Sequence, residues 1–146
     1  MTNADSSDLV FIRSLATRNH PGGLMDCLTP MVDILSECGW DNILIETVGA
    51  GQSEIRVVAF ADRILLVDGP DRGDIIQAEK AGIMELADLI VVNKSDMEGA
   101  EKVVNDLTVS LTLTDDAPPI VRTSATKGDG LDELSGMILQ LSLIHI

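Results

Sequence analysis

The stretch "LIVVNKSD", Leu89 to Asp96, decides how the rest of the chain is read. Leu89-Ile90-Val91-Val92 is a short apolar run of β-branched and aliphatic residues, the pattern of a strand buried on both faces. It ends abruptly in Asn93-Lys94-Ser95-Asp96, an amide, an ammonium and a carboxylate within four positions. A buried strand that delivers three polar heads to one edge raises the question of what they read.

Working outward, the same pattern recurs. "RILLVD" before it and "PIVRTS" after it read as strands, and so do "NILIE" and "LVFIR" (Leu9–Arg13) nearer the start. Helical periods separate them. "LMDCLTPMVDILSEC" places Leu24, Cys27, Leu28, Met31, Leu35 and Cys38 at helical spacing; Pro30 kinks or begins that helix, and Gly39 is a natural stop. "SEIRVVAFA" reads as a short helix, and "GDIIQAEKAGIMELA" as a longer one weakened at Gly82. "MEGAEKVVNDL", with Glu98 four residues ahead of Lys102, and "GLDELSGMILQLS" are the last two. Strands alternating with helices predict an α/β fold, a mostly parallel sheet flanked by helices. Four core strands then end in Glu46, Asp68, Asn93 and Ser124. In open α/β sheets, ligands sit outside these carboxyl ends.

Composition agrees. The 146 residues suffice for one domain with a core. Hydrophobic residues make up 45% and aromatics 2%, so the core is aliphatic. With 24 acidic and 10 basic residues the net charge is −14. That argues against nonspecific nucleic-acid binding and against anionic membranes. Phosphate binding would have to be local, through backbone N–H groups, a few bases or a metal. The two cysteines, Cys27 and Cys38, lie about 16 Å apart at helical rise, too far for a disulfide. Both read as core thiols of a reducing compartment. With no signal peptide and no long apolar run, a cytoplasmic protein is expected.

The polar strand ends suggest specific chemistry. Guanine shows two adjacent donors, N1–H and the 2-amino group, and one carboxylate accepts both. Adenine has no such pair, so Asp96 would select guanine. Asn93 would brace the loop and touch the base edge, and Lys94 would lay its alkyl stem along the ring. "TSATKGDG" (123–130) follows the next strand. There Ser124 and Ala125 would turn a backbone N–H toward guanine O6, and Thr126 or Lys127 would cover the other ring face. Gly128 and Gly130 permit the turn. In "ETVGAGQSE" (46–54), Glu46 would hold Mg²⁺ through water, Gly49 would face a terminal phosphate, and Gln52 would orient a water. Against these stand ordinary readings: a solvated turn for N-K-x-D, a plain turn for Gly49 and Gly51, and a helix N-terminal charge for Glu54.

Together "VFIRSLATRNHPGGL", "ILIETVGAGQSE", "DLIVVNKSD" and "SATKGDGL" resemble the methylmalonyl-CoA-mutase-associated GTPases, the MeaB/ArgK family, across nearly all of residues 9 to 135. "ETVGAGQSE" is the most family-specific element, since most GTPases carry Asp at the position of Glu46. The resemblance implies a P-loop GTPase fold, GTP and GDP as ligands with Mg²⁺, and a homodimer in the intact protein. It further implies a chaperone role toward a B12-dependent (cobalamin-dependent) acyl-CoA mutase. The family's mobile third switch corresponds to Asp68–Gly82, where Lys80 is either a phosphate-side contact or an exposed helical lysine.

The sequence departs from that family: no glycine begins or ends the phosphate-cradling pattern G-x-x-x-x-G-K-[ST], which the family carries on a first strand-loop-helix, and the next strand, the family's Asp-Pro-Ser-Ser segment and its dimerisation helices are also missing. The chain therefore reads as a partial GTPase domain over 1–142, a truncated P-loop domain that keeps the base-reading half and does not hydrolyse GTP alone. Its tail, "LSLIHI", is either a frayed last turn or, over 143–146, non-native. His145 carries no role, and His20 is read as a loop histidine. Sheet faces left uncovered by a missing strand and helix would each cost roughly 1.5–3 kcal/mol per large side chain, which predicts marginal stability or association. Two rivals remain: a non-enzymatic binding module using Asp68–Gly82, and a nickel or cobalt insertion GTPase, which would be expected to show a Cys/His cluster.

Overall fold

A computed structural model describes residues 10–15, 23–47, 60–71, 82–112 and 116–143. The chain divides into two compact units, Met1–Ile45 and Glu46–Ile146.

In the second unit, three strands form one parallel sheet in the order β1 (Leu65–Asp68), β2 (Leu89–Val92), β3 (Ile120–Arg122). β2 is central, and all four of its residues are buried. Its side chains alternate between the sheet faces, as a strand requires. Ile90 and Val92 pack with Met84, Leu107 and Leu111, so α2 (Ala100–Leu111) covers that face. Leu89, Val91 and Val121 meet Leu134, Met137, Ile138 and Leu141 of α3 (Leu131–Leu143), which covers the other. The aliphatic run therefore has no polar face because a helix lies on each side of it. Arg63 ties α3 to the start of β1. Its Nε donates to the Leu141 carbonyl at 3.1 Å, and its guanidinium meets Asp88, whose other oxygen accepts the Ile64 N–H.

In the first unit α1 (Gly23–Glu37) runs through Pro30 without ending there. It stops as expected at Gly39, whose φ is +86°. Trp40 N–H bonds to Leu35 O and Gly39 N–H to Ser36 O, the paired pattern that satisfies a helix's last carbonyls. Phe11 and Trp40 place their ring centroids 6.4 Å apart.

Several expectations need correction. Residues 42–46 and 10–13 are not strands, so among the described residues three strands, not four, bring their carboxyl ends to one edge. An apolar run becomes a strand only when a neighbour takes its N–H and C=O groups. Among the described residues no ladder reaches Ile43-Leu44-Ile45, and Leu44 is 81% exposed. Cys38 is exposed in the turn after α1 and Cys27 only half-buried, so they are not a pair of core thiols. α2 begins at Ala100 and not at Met97, because Gly99 sits at φ 92°; Glu98 thus precedes the helix that was to pair it with Lys102. Of the expected 73–87 helix, residues 82–84 are described and helical. Most of "SEIRVVAFA" lies outside the described residues, as do Gly49, Gly51, Gln52, Glu54, Lys80 and His145.

Candidate functional site

The carboxyl ends of β2 and β3 deliver two loops, 93–99 and 123–130, to one edge of the sheet. The backbone locks them together. Thr123 N–H bonds to Val92 O and Ser95 N–H to Thr123 O, both at 2.9 Å, while Asn93 N–H bonds to Asp68 O of β1. Lys94 follows with φ 57°, the one non-glycine residue in the left-handed region among those described. That conformation costs an L-residue roughly 1–2 kcal/mol. It turns the chain sharply enough for Asn93 and Asp96 both to reach the neighbouring loop.

Asn93 braces that loop through a single oxygen. Its Oδ1 accepts the Ala125 N–H at 3.2 Å and the Thr123 hydroxyl at 3.3 Å. With Oδ1 so used, its Nδ2 amide is the donor end of the side chain. The Ser124–Ala125 turn was expected to aim a backbone N–H at guanine O6; in this structure the Ala125 N–H is taken by Asn93 Oδ1 of the neighbouring loop.

Asp96 is held from two sides. Ser124 Oγ donates to its Oδ1 at 2.7 Å and also lies 3.3 Å from Thr126 Oγ1. Lys127 Nζ lies 3.4 Å from its Oδ2. Ser124 is wholly buried and Thr123 nearly so, so their hydroxyls are fixed anchors. The Ser124 hydroxyl is the chief cause holding the Asp96 carboxyl below its usual value of 3.8; partial desolvation opposes it, and its own backbone N–H and Lys127 add to the lowering. Each carboxylate oxygen has two lone-pair directions. Ser124, Lys127 and its own backbone N–H are three donors on about four directions, so acceptor capacity remains for an external donor.

The lowered value has a testable sign. The folded form holds the Asp96 proton more weakly than the unfolded chain does. The stability this contributes is complete above the unfolded value, near 3.8, and disappears as pH falls through the lower folded value. Unfolding followed from about pH 6 to about pH 3 should therefore show wild type losing its advantage over Asp96→Asn only below about 3.8. A constant gap across that range would contradict it.

The 123–130 loop is pinned at its far end. Ser124 N–H bonds to Asp129 O at 2.9 Å, and Gly128 N–H to Ser124 O at 2.8 Å. Gly130, at φ +70°, passes so close to β3 that an added Cβ would lie 2.0 Å from Arg122 O. Its own carbonyl accepts the Leu134 N–H and so starts α3. Arg122 in turn makes a two-pronged ion pair with Glu101 at 2.6 and 3.0 Å.

The structure thus brings together Asn93, Asp96, Ser124, Ala125 and Thr126. Lys94 is in the same loop, with its ammonium on Asp71. Glu46 is exposed and belongs to no strand. Among the described residues no group of three His, Cys, Asp or Glu side chains is arranged to hold a metal. Thr123 was given no role of its own, although it opens the TSATKGDG stretch; it is buried and its hydroxyl donates to Asn93 Oδ1. Lys127, which with Thr126 was one of two candidates to cover a ring face, has its ammonium 3.4 Å from Asp96 Oδ2.

A parallel sheet with helices on both faces, ending in these two loops, is an α/β domain of the P-loop GTPase type. A family model described as "Methylmalonyl Co-A mutase-associated GTPase MeaB" matches residues 1–144, and the chain belongs to that family. A Pyrococcus horikoshii protein whose name calls it a GTPase is 46% identical over 132 residues, covering 86% of this chain and 42% of that protein. The "Methylmalonic aciduria type A homolog, mitochondrial" of Mus musculus is 35% identical over 132 residues, covering 85% of this chain and 32% of that protein. "GTPase ArgK" of Escherichia coli is 32% identical over 142 residues, covering 92% and 43%. The chain thus spans about two fifths of the length of curated relatives such as the first and third. No helix among the described residues is long and apolar enough to cross a membrane.

Proposed function

We propose that this chain carries the guanine-reading half of a GTP-binding, GTP-hydrolysing protein that assists a cobalamin-dependent acyl-CoA mutase. The observation that carries the reading is Asp96, an ionised carboxylate held in place by Ser124, Lys127 and its own backbone N–H, with acceptor capacity left over. Guanine's N1–H and 2-amino group would approach that carboxylate as an adjacent pair of donors. Asn93 Nδ2 would donate to the ring's N7, and Lys94 and Thr126 would flank its faces. The mutase enters only through the family's name.

Hydrolysis is proposed for the whole protein. This chain has no G-x-x-x-x-G-K-[ST] motif, and Gly49 and Gln52 are candidates for the γ-phosphate side. Glu46 is one exposed carboxylate, and as a Mg²⁺ ligand it would act only with phosphate oxygens and other groups. A homodimeric, cytoplasmic protein is part of the same proposal.

Calorimetric titration of the folded chain with GDP and with ADP tests the base reading. GDP should bind in preference to ADP. Equal binding of both, or binding of neither, would remove guanine recognition from this chain.

A further inference from the structure

Asp71 lies outside the two loops of the base site, yet its carboxylate receives the Lys94 ammonium. The contact belongs to a longer seam. Asn93 N–H bonds to Asp68 O. Gly69 comes so near that a Cβ there would lie 3.1 Å from Asn93 O and 3.3 Å from Asp71 Oδ1. A Cβ on Gly99 would sit 3.5 Å from Pro70 Cβ. The turn after β1 therefore packs along the 93–99 loop from one end to the other.

Lys94 needs such support. Its φ of 57° is unfavourable for a residue with a side chain, and a lysine stem in free solution samples many rotamers. An ammonium fixed at its far end draws the four methylenes into one path beside Asn93. An apolar stem held in one path is a surface on which a flat ring can lie.

We propose that Asp71 is a positioning residue for nucleotide binding: it anchors Lys94 so that the lysine stem is set in place before the base arrives. This rests on the guanine reading of the site. Asp71 touches no part of the base itself and acts through Lys94. Its other interactions are compatible with the role, because one carboxylate accepts several donors.

The test has two arms. In the first, the nucleotide-free full chain is treated with an amine-acetylating reagent, and Lys94 modification is measured by mass spectrometry against Lys102. Asp71→Asn should speed Lys94 acetylation about twofold to fivefold, the range of an exposed ion pair, and Asp71→Glu should restore the slow rate. In the second, Asp71→Asn should weaken GDP binding by a similar factor at low salt and by less at about 1 M salt, with GDP still preferred to ADP. In a Lys94→Met background the same substitution should change nothing. Unchanged Lys94 acetylation would overturn the proposal, as would an equal GDP loss with and without Lys94. Should wild type fail to prefer GDP while acetylation still responds to Asp71, the ion pair is real but the guanine reading has failed, and the positioning role fails with it.

Discussion

Replacing Asp96 by Asn should lower GDP affinity at least about 100-fold and raise affinity for xanthosine diphosphate. Hydrogen bonds to a charged group are worth about 1.5–3 kcal/mol each, and guanine would lose one of two to Asp96. The other half of the effect is repulsive. An asparagine offers one oxygen and one NH₂, so its NH₂ would confront a donor of guanine. Xanthine carries an oxygen where guanine has its 2-amino group while keeping N1–H, so donor meets acceptor at both positions. The substitution should not damage the fold, because an Asn oxygen still accepts the Ser124 hydroxyl that now reaches Asp96 Oδ1 at 2.7 Å. Titration of both variants with both diphosphates, beside a melting curve, checks this. Unaltered GDP affinity in a folded Asp96→Asn chain would show that Asp96 does not contact the base.

Gly130→Ala should cost about 2–5 kcal/mol of stability, the sum of a left-handed backbone forced on an L-residue and an overpacked contact. The clash is with backbone: the new Cβ would sit 2.0 Å from Arg122 O, so no side chain can rotate away to relieve it. Since total stability for a domain of this size is roughly 5–15 kcal/mol, the variant should be partly unfolded or much easier to denature. Gly128→Ala is the control. Its φ is +83°, but a Cβ there meets nothing within 4 Å, so only the backbone cost of about 1–2 kcal/mol remains. Urea unfolding of the two variants should separate them clearly. Equal losses would mean that the loop can move off β3 freely. The same displacement would carry Asp129 away from Ser124, so residual folded Gly130→Ala should also bind GDP more weakly.

The parts of this architecture legible in the sequence are those whose signal is local. β1, β2 and β3 announce themselves as aliphatic runs ending in polar residues, and α3 as an apolar period opened by Gly130. Gly39 marked the end of α1 because only a residue at ease with positive φ closes a helix that way. "NILIE" carried the same apolar signal as β2 and is not a strand, because composition states a demand for burial and not which neighbour meets it. Gly99 was visible, but that it would hold Glu98 outside α2 was not. The site divides along the same line. Asn93, Asp96 and Ser124 were readable from two short motifs, whereas the pairings of Lys94 with Asp71 and of Asp96 with Lys127 join residues far apart in the chain. Nothing in the local pattern records such a pair, since an exposed charge looks the same with a partner or without one.

The fit of Gly69 beneath the carbonyl of Asn93 reaches beyond the packing of one turn. Whatever grips residues 69–71 also takes hold, through that carbonyl and the Asp68–Asn93 hydrogen bond, of the loop proposed to read the base. Two binding events that bias the same movable element are thermodynamically linked, and the linkage is reciprocal. A partner on the β1 turn that changed guanine affinity about tenfold would have its own affinity changed by guanine about tenfold in the same direction. The turn would then serve as a gauge of nucleotide occupancy, readable from outside by a protein that never touches the nucleotide.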